Sequence, residues 1–169
     1  MALITRRQFV QQAGFSASAL GYSFYHPKGE EILRGGKAKS APVSIDSIRK
    51  MASKIAGDVI TPEATEYDSA RRVKNHAYDR HPAVIVRCAI RDDIARSLEF
   101  AQNNNLLLAV RCGGHSSAGF GVCDGGLLVD LAGMRRVKVD AAKRIVRAEA
   151  GCLVADVDQA TQRFGLATV

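Results

Sequence analysis

The sequence predicts an α+β fold that contains a βαβ unit and additional strands. A short β-rich run at 83–86, a helical pattern and a second apolar run at 106–110 follow one another within about 30 residues, the length of a βαβ unit. A third apolar run lies at 127–131, beyond a glycine-rich loop. Two further runs, at 136–140 and 145–150, alternate apolar and polar residues in the manner of strands.

Residues 1–25 resemble a twin-arginine export signal. The pair Arg6-Arg7 is followed by the apolar Phe9 and by a mildly apolar segment at 13–20. Bacteria use such signals to export proteins that are already folded, often with a cofactor in place. We expect an exported protein, periplasmic or extracellular. The alternative is an ordinary basic N-terminus before a short amphipathic helix in a cytoplasmic protein.

Residues 26–56 are predicted to form a linker and a short helix. The segment 26–42 is polar and rich in Gly and Lys, which is typical of a linker. A short amphipathic helix is then predicted at 44–55, because the following apolar residues lie at helical spacing: Ile45, Ile48, Met51, Ala52 and Ile55. Residues 57–62 break this helix and lead into an acidic, polar stretch.

The strongest pattern begins at Pro82. The run at 83–86 predicts a strand, Asp92-Asp93 predict the start of a helix that ends near 103–105, and the run at 106–110 predicts a second strand. Two strands joined by a helix in this way are parallel. We expect the inner face of the helix to carry Ile94, Ala95, Leu98 and Ala101.

Further elements follow the glycine loop. The run at 127–131 predicts a third strand, the runs at 136–140 and 145–150 flank a turn and predict two half-buried strands, and 154–161 predicts a helix. The sequence stops at Val169 in an apolar stretch without a cap or a polar tail. We interpret the chain as truncated.

Charge and hydropathy argue against two classes of protein. The net charge of +7 would suit a nucleic-acid binder, but residues 1–81 carry 13 basic and 8 acidic groups, whereas 82–169 carry 11 and 9. The excess therefore lies outside the best-patterned region, and few aromatic residues are present to stack on bases, so we expect no nucleic-acid partner. No stretch approaches the roughly 20 apolar residues that span a bilayer.

A metal site is one possible use of the loop. The sequence has four cysteines and no CxxC pair, and it does not resemble a small disulfide-stapled protein. Cys112, His115, Cys123 and Asp124 could offer ligands, but Cys-x-x-His is only half of a zinc knuckle. We expect no metal, and Cys112 is equally explained as a small packed side chain.

The loop RCGGHSS is suited to an anion. At Gly113 and Gly114 no Cβ blocks the approach of a ligand to the backbone N–H groups. Ser116 and Ser117 add hydroxyl donors, and Arg111 adds positive charge at the edge, so the set suits a pyrophosphate. The loop matches neither GxxxxGK[ST] nor GxGxxG followed by a clear helix, which disfavours a P-loop NTPase and a Rossmann dehydrogenase. Alternatively, it is only a turn between strands.

The order of these motifs carries a family resemblance. The segments that carry it are PAVIVRC at 82–88, LAVRCGGHS at 108–116, LVDL at 128–131 and AG at 150–151. Together they resemble the FAD-binding domain of the vanillyl-alcohol oxidase and p-cresol methylhydroxylase (PCMH) superfamily, closest to its berberine-bridge-enzyme-like branch. The resemblance runs from about residue 57 to 169 and implies the first, N-terminal half of a PCMH-type domain.

The resemblance implies that the loop binds FAD. In this family the loop holds the pyrophosphate, and the histidine is often bonded covalently to the 8α-methyl group of the flavin. Carried over, His115 is the covalent attachment point, because a neutral imidazole is a suitable nucleophile toward the electron-poor flavin. The residues that we expect to bind FAD are thus Arg111, Gly113, Gly114, His115, Ser116 and Ser117.

The implied activity is that of an FAD-dependent oxidase or dehydrogenase. Its flavin takes hydride from a C–H group of a small alcohol, sugar or amine, and O2 usually reoxidises it. The sequence departs from the family at Lys74-Asn75, where relatives tend to carry Trp-Asn. The second, cysteinyl flavin bond of many members and the substrate domain would lie beyond Val169, so no catalytic base is assigned. Two alternatives stay open: a non-catalytic flavin-binding fragment and an anion-binding module without flavin.

Overall fold

The computed structural model describes residues 43–168. The predicted export segment at 1–25 and the predicted linker at 26–42 lie outside the described residues. Within the described part, no helix is both long enough and apolar enough to cross a membrane.

Residues 43–168 form four α-helices and six strands, so the α+β class is confirmed. In chain order the elements are α1 (Ile45–Ala52), β1 (Asp58–Ile60), α2 (Tyr67–Arg71), β2 (Val84–Arg87), α3 (Arg91–Asn103), β3 (Leu108–Arg111), β4 (Leu127–Asp130), β5 (Val137–Asp140), β6 (Ile145–Ala148) and α4 (Val154–Gln162). All elements predicted between residues 44 and 162 are present, with ends that differ by a few residues.

Four strands form the main sheet in the order β1-β2-β4-β3. β4 pairs in parallel with both β2 and β3, and β1 pairs antiparallel with β2. The predicted βαβ unit, β2–α3–β3, is therefore confirmed as parallel, but its two strands are not neighbours, because β4 lies between them. This arrangement brings the carboxyl ends of β2, β4 and β3 to one edge of the sheet.

The sheet is covered on both faces, which explains the uninterrupted apolar sequences of β2 and β4. Val84, Val86, Leu127 and Val129 pack with residues of α1 and α3 in one core cluster. The intervening Ile85 and Leu128 pack on the other face with α2 and the glycine-rich loop, through these further residues: Ile60, Tyr67, Ala70, Val73, Ala109, Val122 and Cys123. Alternate side chains thus serve two cores, as the two-residue period of a strand requires.

Two short elements were not predicted from the sequence. β1 spans three residues in the segment that we expected only to break α1, and α2 spans five residues in the acidic stretch. Neither is long enough to show a periodicity of its own. Both depend on tertiary contacts: β1 pairs with β2, and the buried hydroxyl of Tyr67 in α2 donates to the carbonyl of Pro82 at 2.7 Å.

The predicted inner face of α3 was partly wrong. Ala95 is exposed and Leu98 is 42% exposed, whereas Asp93, Ser97, Phe100 and Ala101 are buried. The reason is that two polar side chains find partners inside. The carboxylate of Asp93 accepts from four backbone N–H groups, and the Ser97 hydroxyl donates to the carbonyl of Asp93 at 2.7 Å. A rule that places only apolar residues inside cannot predict a buried helix face that includes Asp93 and Ser97.

β5 and β6 form a separate antiparallel hairpin, as predicted. α4 packs against both strands. Leu131 follows β4, where the chain leaves the main sheet toward the hairpin. Its carbonyl oxygen lies 2.1 Å from the position that a Cβ at Gly151 would take. Only glycine fits at 151, because the two backbone segments pass so close to one another.

Candidate functional site

The glycine-rich loop leaves β3 at the edge of the sheet where the parallel strands end. It connects β3 to β4 through residues 112–126, and its first part lines an open cavity of about 280 Å³. The residues that line this cavity are Val110, Arg111, Cys112, Gly113, Gly114, His115, Ser116, Phe120 and Gly121. In open sheets with parallel strands, this edge is where ligands bind.

A buried ion pair supports the base of the loop. Nη2 of Arg111 donates to Oδ2 of Asp130 at 2.6 Å, and Nη1 donates to the carbonyl of Arg72 at 3.0 Å. Asp130 stands directly opposite Arg111 in the parallel register, and Arg87 stands opposite Asp130 on its other side. The Asp130 carboxylate therefore lies between arginines from two neighbouring strands, at 2.6 and 3.7 Å.

This pairing bears on the expected role of Arg111. The residue lines the cavity, as predicted for a cofactor-binding residue, but it is only 8% exposed. Its charge is balanced by Asp130 in the described structure, so its first effect is to fix the position where the loop begins. The sequence pattern does not reveal this, because Asp130 is 19 residues away.

The two glycines shape the turn of the loop. Gly114 has φ +69°, a left-handed conformation that favours glycine, and a Cβ at Gly113 would lie 2.8 Å from Cδ2 of His115. Within residues 43–168, no protein acceptor takes a hydrogen bond from the backbone N–H groups of residues 113–117. A run of five such donors beside a cavity is suited to bind phosphate oxygens.

His115 is exposed at the cavity and has one side-chain partner in the part of the chain that the structure describes. Its Nε2 lies 2.8 Å from Nζ of Lys74, which is also exposed. An ammonium group has donors only, so Nε2 accepts in this contact. A neutral imidazole with its proton on Nδ1 satisfies this contact. A neutral histidine on a glycine loop is the species that the predicted covalent attachment requires.

The two serines differ in their surroundings. The Oγ of Ser116 accepts from the N–H of Phe120 at 3.1 Å, and its carbonyl accepts from the N–H of Gly119 at 3.2 Å, so Ser116 closes a turn inside the loop. Its hydroxyl hydrogen is still available to a ligand, because a hydroxyl can donate while it accepts. Ser117 is exposed, and its carbonyl accepts from Nδ2 of Asn75 at 2.9 Å.

Residues 74–80, which we call the strap, contact the glycine-rich loop. Lys74 contacts His115 through its side chain and donates its backbone N–H to the carbonyl of Gly114 at 3.4 Å. Further along the strap, the ring of Tyr78 fills the space where a Cβ at Gly119 would lie, at 2.4 Å, and Arg80 donates to the carbonyl of Gly119.

The strap was not predicted from the sequence to be part of the site. The one available signal was the departure from the family pattern at Lys74-Asn75, which the structure places against the middle of the loop. Lys74 and His115 are 41 residues apart, and no local pattern links them.

The metal-ligand set considered from the sequence does not assemble. No group of three or more His, Cys, Asp or Glu side chains that could hold a metal ion occurs among residues 43–168. Cys123 is buried with its Sγ 3.8 Å from the carbonyl of Leu107, and Asp124 accepts from the backbone N–H of His81 at 2.8 Å. Cys112 is partly buried where it lines the cavity.

Comparison with known proteins defines the class. Residues 82–169 match the family model of an FAD binding domain. The chain belongs to this family of PCMH-type FAD-binding domains, which confirms the resemblance seen in the sequence, and its cofactor is FAD.

Its relatives are FAD-linked oxidoreductases. (R)-6-hydroxynicotine oxidase of Paenarthrobacter nicotinovorans is 33% identical over 125 residues, which cover 70% of this chain and 27% of that protein. An FAD-linked oxidoreductase of Dictyostelium discoideum is 31% identical over 121 residues, which cover 70% of this chain and 26% of that protein. The chain thus belongs to an oxidoreductase family and spans about a quarter of the length of these relatives.

Solved structures give the same fold. The crystal structure of 6-hydroxy-D-nicotine oxidase from Arthrobacter nicotinovorans aligns with a TM-score of 0.66 at 33% identity, over 68% of this chain and 25% of that one. The berberine-bridge-enzyme-like protein 1 of Physcomitrella patens aligns with a TM-score of 0.64 at 22% identity, over 69% of this chain and 26% of that one. The second likeness shows the fold alone.

The loop is chemically suited to FAD. Five backbone N–H groups without protein acceptors in the described part, two serine hydroxyls and the Lys74 ammonium form a donor set for a pyrophosphate. A cavity of about 280 Å³ accommodates the phosphate portion but not a whole dinucleotide. The loop is therefore suited to bind the phosphate portion of FAD.

Proposed function

We propose that this chain is the FAD-phosphate-binding part of an oxidoreductase that oxidises a C–H group of an alcohol, sugar or amine, and that His115 is bonded covalently to the flavin. The observation that carries the proposal is the exposed His115 on a glycine loop whose N–H groups at 113–117 have no acceptor among the described residues. The relationship to a hydroxynicotine oxidase at 33% identity supports the oxidase class and dioxygen as acceptor.

The residues of the loop have two roles in this proposal, phosphate binding and attachment of the flavin. The backbone N–H groups of 113–117 and the hydroxyls of Ser116 and Ser117 bind the pyrophosphate, while the Arg111–Asp130 pair keeps the start of the loop in place. His115 fixes the flavin through a bond. When bound, FAD supplies the hydride acceptor, which no amino-acid side chain can provide.

Covalent attachment of FAD to His115 would be an oxidation. A nitrogen of His115 replaces one hydrogen of the 8α-methyl group, so an N–H bond and a C–H bond are broken and a C–N bond is formed. The two protons and two electrons released are passed to dioxygen, which becomes hydrogen peroxide. The role of the chain is to place His115 next to the phosphate site, in the lining of the same cavity.

Acid precipitation of purified chain incubated with FAD tests the attachment. We expect flavin absorbance near about 450 nm to stay with the precipitated protein, and to be lost from the precipitate of His115→Ala while FAD still binds weakly. His81→Ala, a change at another exposed histidine, is the matched control and should retain acid-stable colour. Unchanged colour in His115→Ala would exclude His115 as the attachment point. A wild-type chain that binds no added FAD would contradict the proposed function as a whole.

Anaerobic reduction tests the activity. Representative alcohols, sugars and amines are each mixed with the protein in the absence of oxygen. We expect a substrate among them to reduce the flavin, so that its absorbance is lost. Air should restore the colour if dioxygen is the acceptor. If alcohols, sugars and amines all fail to reduce the flavin, a flavin-binding role without catalysis is favoured.

We also propose that the segment at 1–25 directs export. Its support is the Arg6-Arg7 pair ahead of an apolar stretch. A fusion of residues 1–42 to a reporter should reach the bacterial periplasm, and replacement of both arginines by lysine should keep the reporter in the cytoplasm. Equal distribution of the two fusions would refute the proposal.

A further inference from the structure

Among residues 43–168, three basic side chains contact the glycine loop, and two of them already have protein partners. Arg111 is paired with the buried Asp130 at 2.6 Å. Arg80 donates through Nη1 to the carbonyls of Gly119 and Val122, at 3.4 and 3.1 Å, and its guanidinium lies 5.4 Å from the centre of the Tyr78 ring. Both arginines hold the shape of the loop through these contacts.

Lys74 differs from both arginines. It is exposed, and among the residues that the structure describes no carboxylate lies within 4.0 Å of its ammonium group. Its side-chain contact is with the neutral Nε2 of His115 at 2.8 Å. An ammonium group has three N–H donors, so this contact leaves two of them and the full positive charge at the rim of the cavity.

We propose that the ammonium group of Lys74 pairs with the pyrophosphate of FAD and that, in doing so, it releases Nε2 of His115. This inference rests on the proposed function, because it concerns the same loop. A pyrophosphate carries two negative charges and is a stronger acceptor for an ammonium group than a neutral imidazole. Lys74 therefore supplies the charge that the sequence had suggested for Arg111.

The exchange of partners has a chemical consequence at His115. While Lys74 donates to Nε2, the lone pair of Nε2 is occupied and Nδ1 carries the ring proton. Neither nitrogen then offers a free lone pair for a bond to carbon. Once the ammonium group has moved to the phosphate, Nε2 is free, so cofactor binding precedes and permits attachment.

Two flavins that differ in phosphate test the pairing. FAD and riboflavin are titrated into the wild-type chain, Lys74→Gln and Lys74→Arg, and binding is followed by flavin fluorescence. We expect Lys74→Gln to weaken FAD binding about tenfold, the size of one lost charge-assisted hydrogen bond, and to leave riboflavin binding unchanged. Lys74→Arg should keep most of the affinity. Lys50→Gln, a change at an exposed lysine of α1, is the matched control and should bind FAD like the wild type.

The release of Nε2 is tested without flavin. Diethyl pyrocarbonate modifies neutral imidazole, and mass spectrometry follows the modification of His115. Inorganic pyrophosphate should accelerate modification in the wild-type chain, because it draws Lys74 away. In Lys74→Met, modification should be fast with or without pyrophosphate.

The outcomes separate the two levels of the proposal. A wild-type chain that binds no FAD overturns the proposed function and this inference with it. If wild type and Lys74→Gln bind FAD with equal affinity, only the role of Lys74 is overturned. The same holds if Lys74→Gln weakens the binding of FAD and of riboflavin equally, because Lys74 would then only shape the loop. A rate of His115 modification that pyrophosphate does not increase overturns the release of Nε2.

Discussion

Oδ2 of Asp130 lies 2.6 Å from Nη2 of Arg111, and both side chains are more than nine-tenths buried below the glycine loop. The same carboxylate accepts from the N–H of Ala132 through Oδ1 at 3.1 Å and lies 3.7 Å from Nε of Arg87. One carboxylate thus ties β4 to the strands on both sides at the point where the loop starts. We therefore expect the position of the loop to depend on this carboxylate.

Asp130→Asn should strongly destabilise the chain. The amide cannot balance the charge of Arg111, and an uncompensated charge is left in a buried site, which costs about 3–5 kcal/mol. Urea unfolding followed by circular dichroism measures the loss. Asp46→Asn, which removes the exposed partner of Arg49, is the control and should cost less than about 0.5 kcal/mol.

A second variant covers the case in which Asp130→Asn fails to fold. Arg111→Met combined with Asp130→Leu removes both charges and keeps the volume, so it should recover most of the lost stability. A double variant as unstable as Asp130→Asn would show that packing, not charge balance, is the main contribution of the pair.

The carboxylate of Asp93 should make stability depend on pH. Burial raises the pKa of this carboxyl, but hydrogen bonds from the N–H groups of Ala56, Ala89, Ile90 and Gly57 outweigh burial, so the pKa lies below its ordinary value of 3.8. The stabilisation is therefore complete above the pKa of the unfolded chain and is lost as the pH falls through the lower pKa of the folded chain. Unfolding free energies measured between pH 6 and pH 2.5 should fall more steeply for wild type than for Asp93→Asn.

At neutral pH the same variant should be less stable by about 2–4 kcal/mol, because the amide keeps only one of the two accepting oxygens. Asp92→Asn, at the exposed neighbour in the first turn of α3, should change little. Equal pH profiles for wild type and Asp93→Asn would contradict the proposed role of the carboxylate.

Gly119→Ala should damage the loop through contact with Tyr78. Gly119 has φ +71°, and an added Cβ would lie 2.4 Å from ring atoms of Tyr78. Gly125→Ala is the matched control: its φ is +62°, but its Cβ would meet no atom within 4 Å. We expect Gly125→Ala to cost about 1 kcal/mol from backbone strain, and Gly119→Ala to cost at least about 2 kcal/mol.

Urea unfolding measures the difference, and FAD titration shows whether the loop has moved. Adding Tyr78→Ala to Gly119→Ala should relieve the clash and leave only the strain. If both glycine variants lose equal stability, the contact with Tyr78 does not constrain the loop.

The four thiols should react in two groups. Burial raises the pKa of the Cys88 and Cys123 thiols to about 11, so almost none of either is thiolate at pH 7.5. Cys112 and Cys152 are only partly buried. In the folded chain, a disulfide reagent should label Cys112 and Cys152 first, and all four should react after denaturation. Rapid labelling of Cys88 or Cys123 would contradict the packing of the sheet.

FAD should protect one of the two accessible thiols. Cys112 lines the loop cavity, whereas Cys152 follows β6 and is not among the cavity residues. Bound cofactor should therefore slow the labelling of Cys112 and leave that of Cys152 unchanged. Equal protection of both would indicate a general stabilisation by the ligand.

Elements whose apolar residues form a run or repeat at a regular spacing could be predicted from the sequence. β2, β4 and the β5–β6 hairpin appear where alternation or apolar runs placed them, and α1 appears where its apolar spacing placed it. α3 was predicted, but its inward face was not, because the hydrogen bonds of Asp93 reach back 36 and 37 residues to Gly57 and Ala56. A polar residue that is satisfied by distant backbone looks like a surface residue in the sequence.

The sequence alone determined the class of fold and, through the family resemblance, the cofactor, and it predicted the loop as the binding site, because the glycines, His115 and the serines are adjacent in the chain and their chemistry is local. The tertiary structure decided how the charges around the loop are paired. It placed β4 between β2 and β3, so that Asp130 neutralises Arg111, and it brought Lys74 across 41 residues to His115. Charge balance in a site depends on distances in space, and these are set by packing between segments that no local pattern connects.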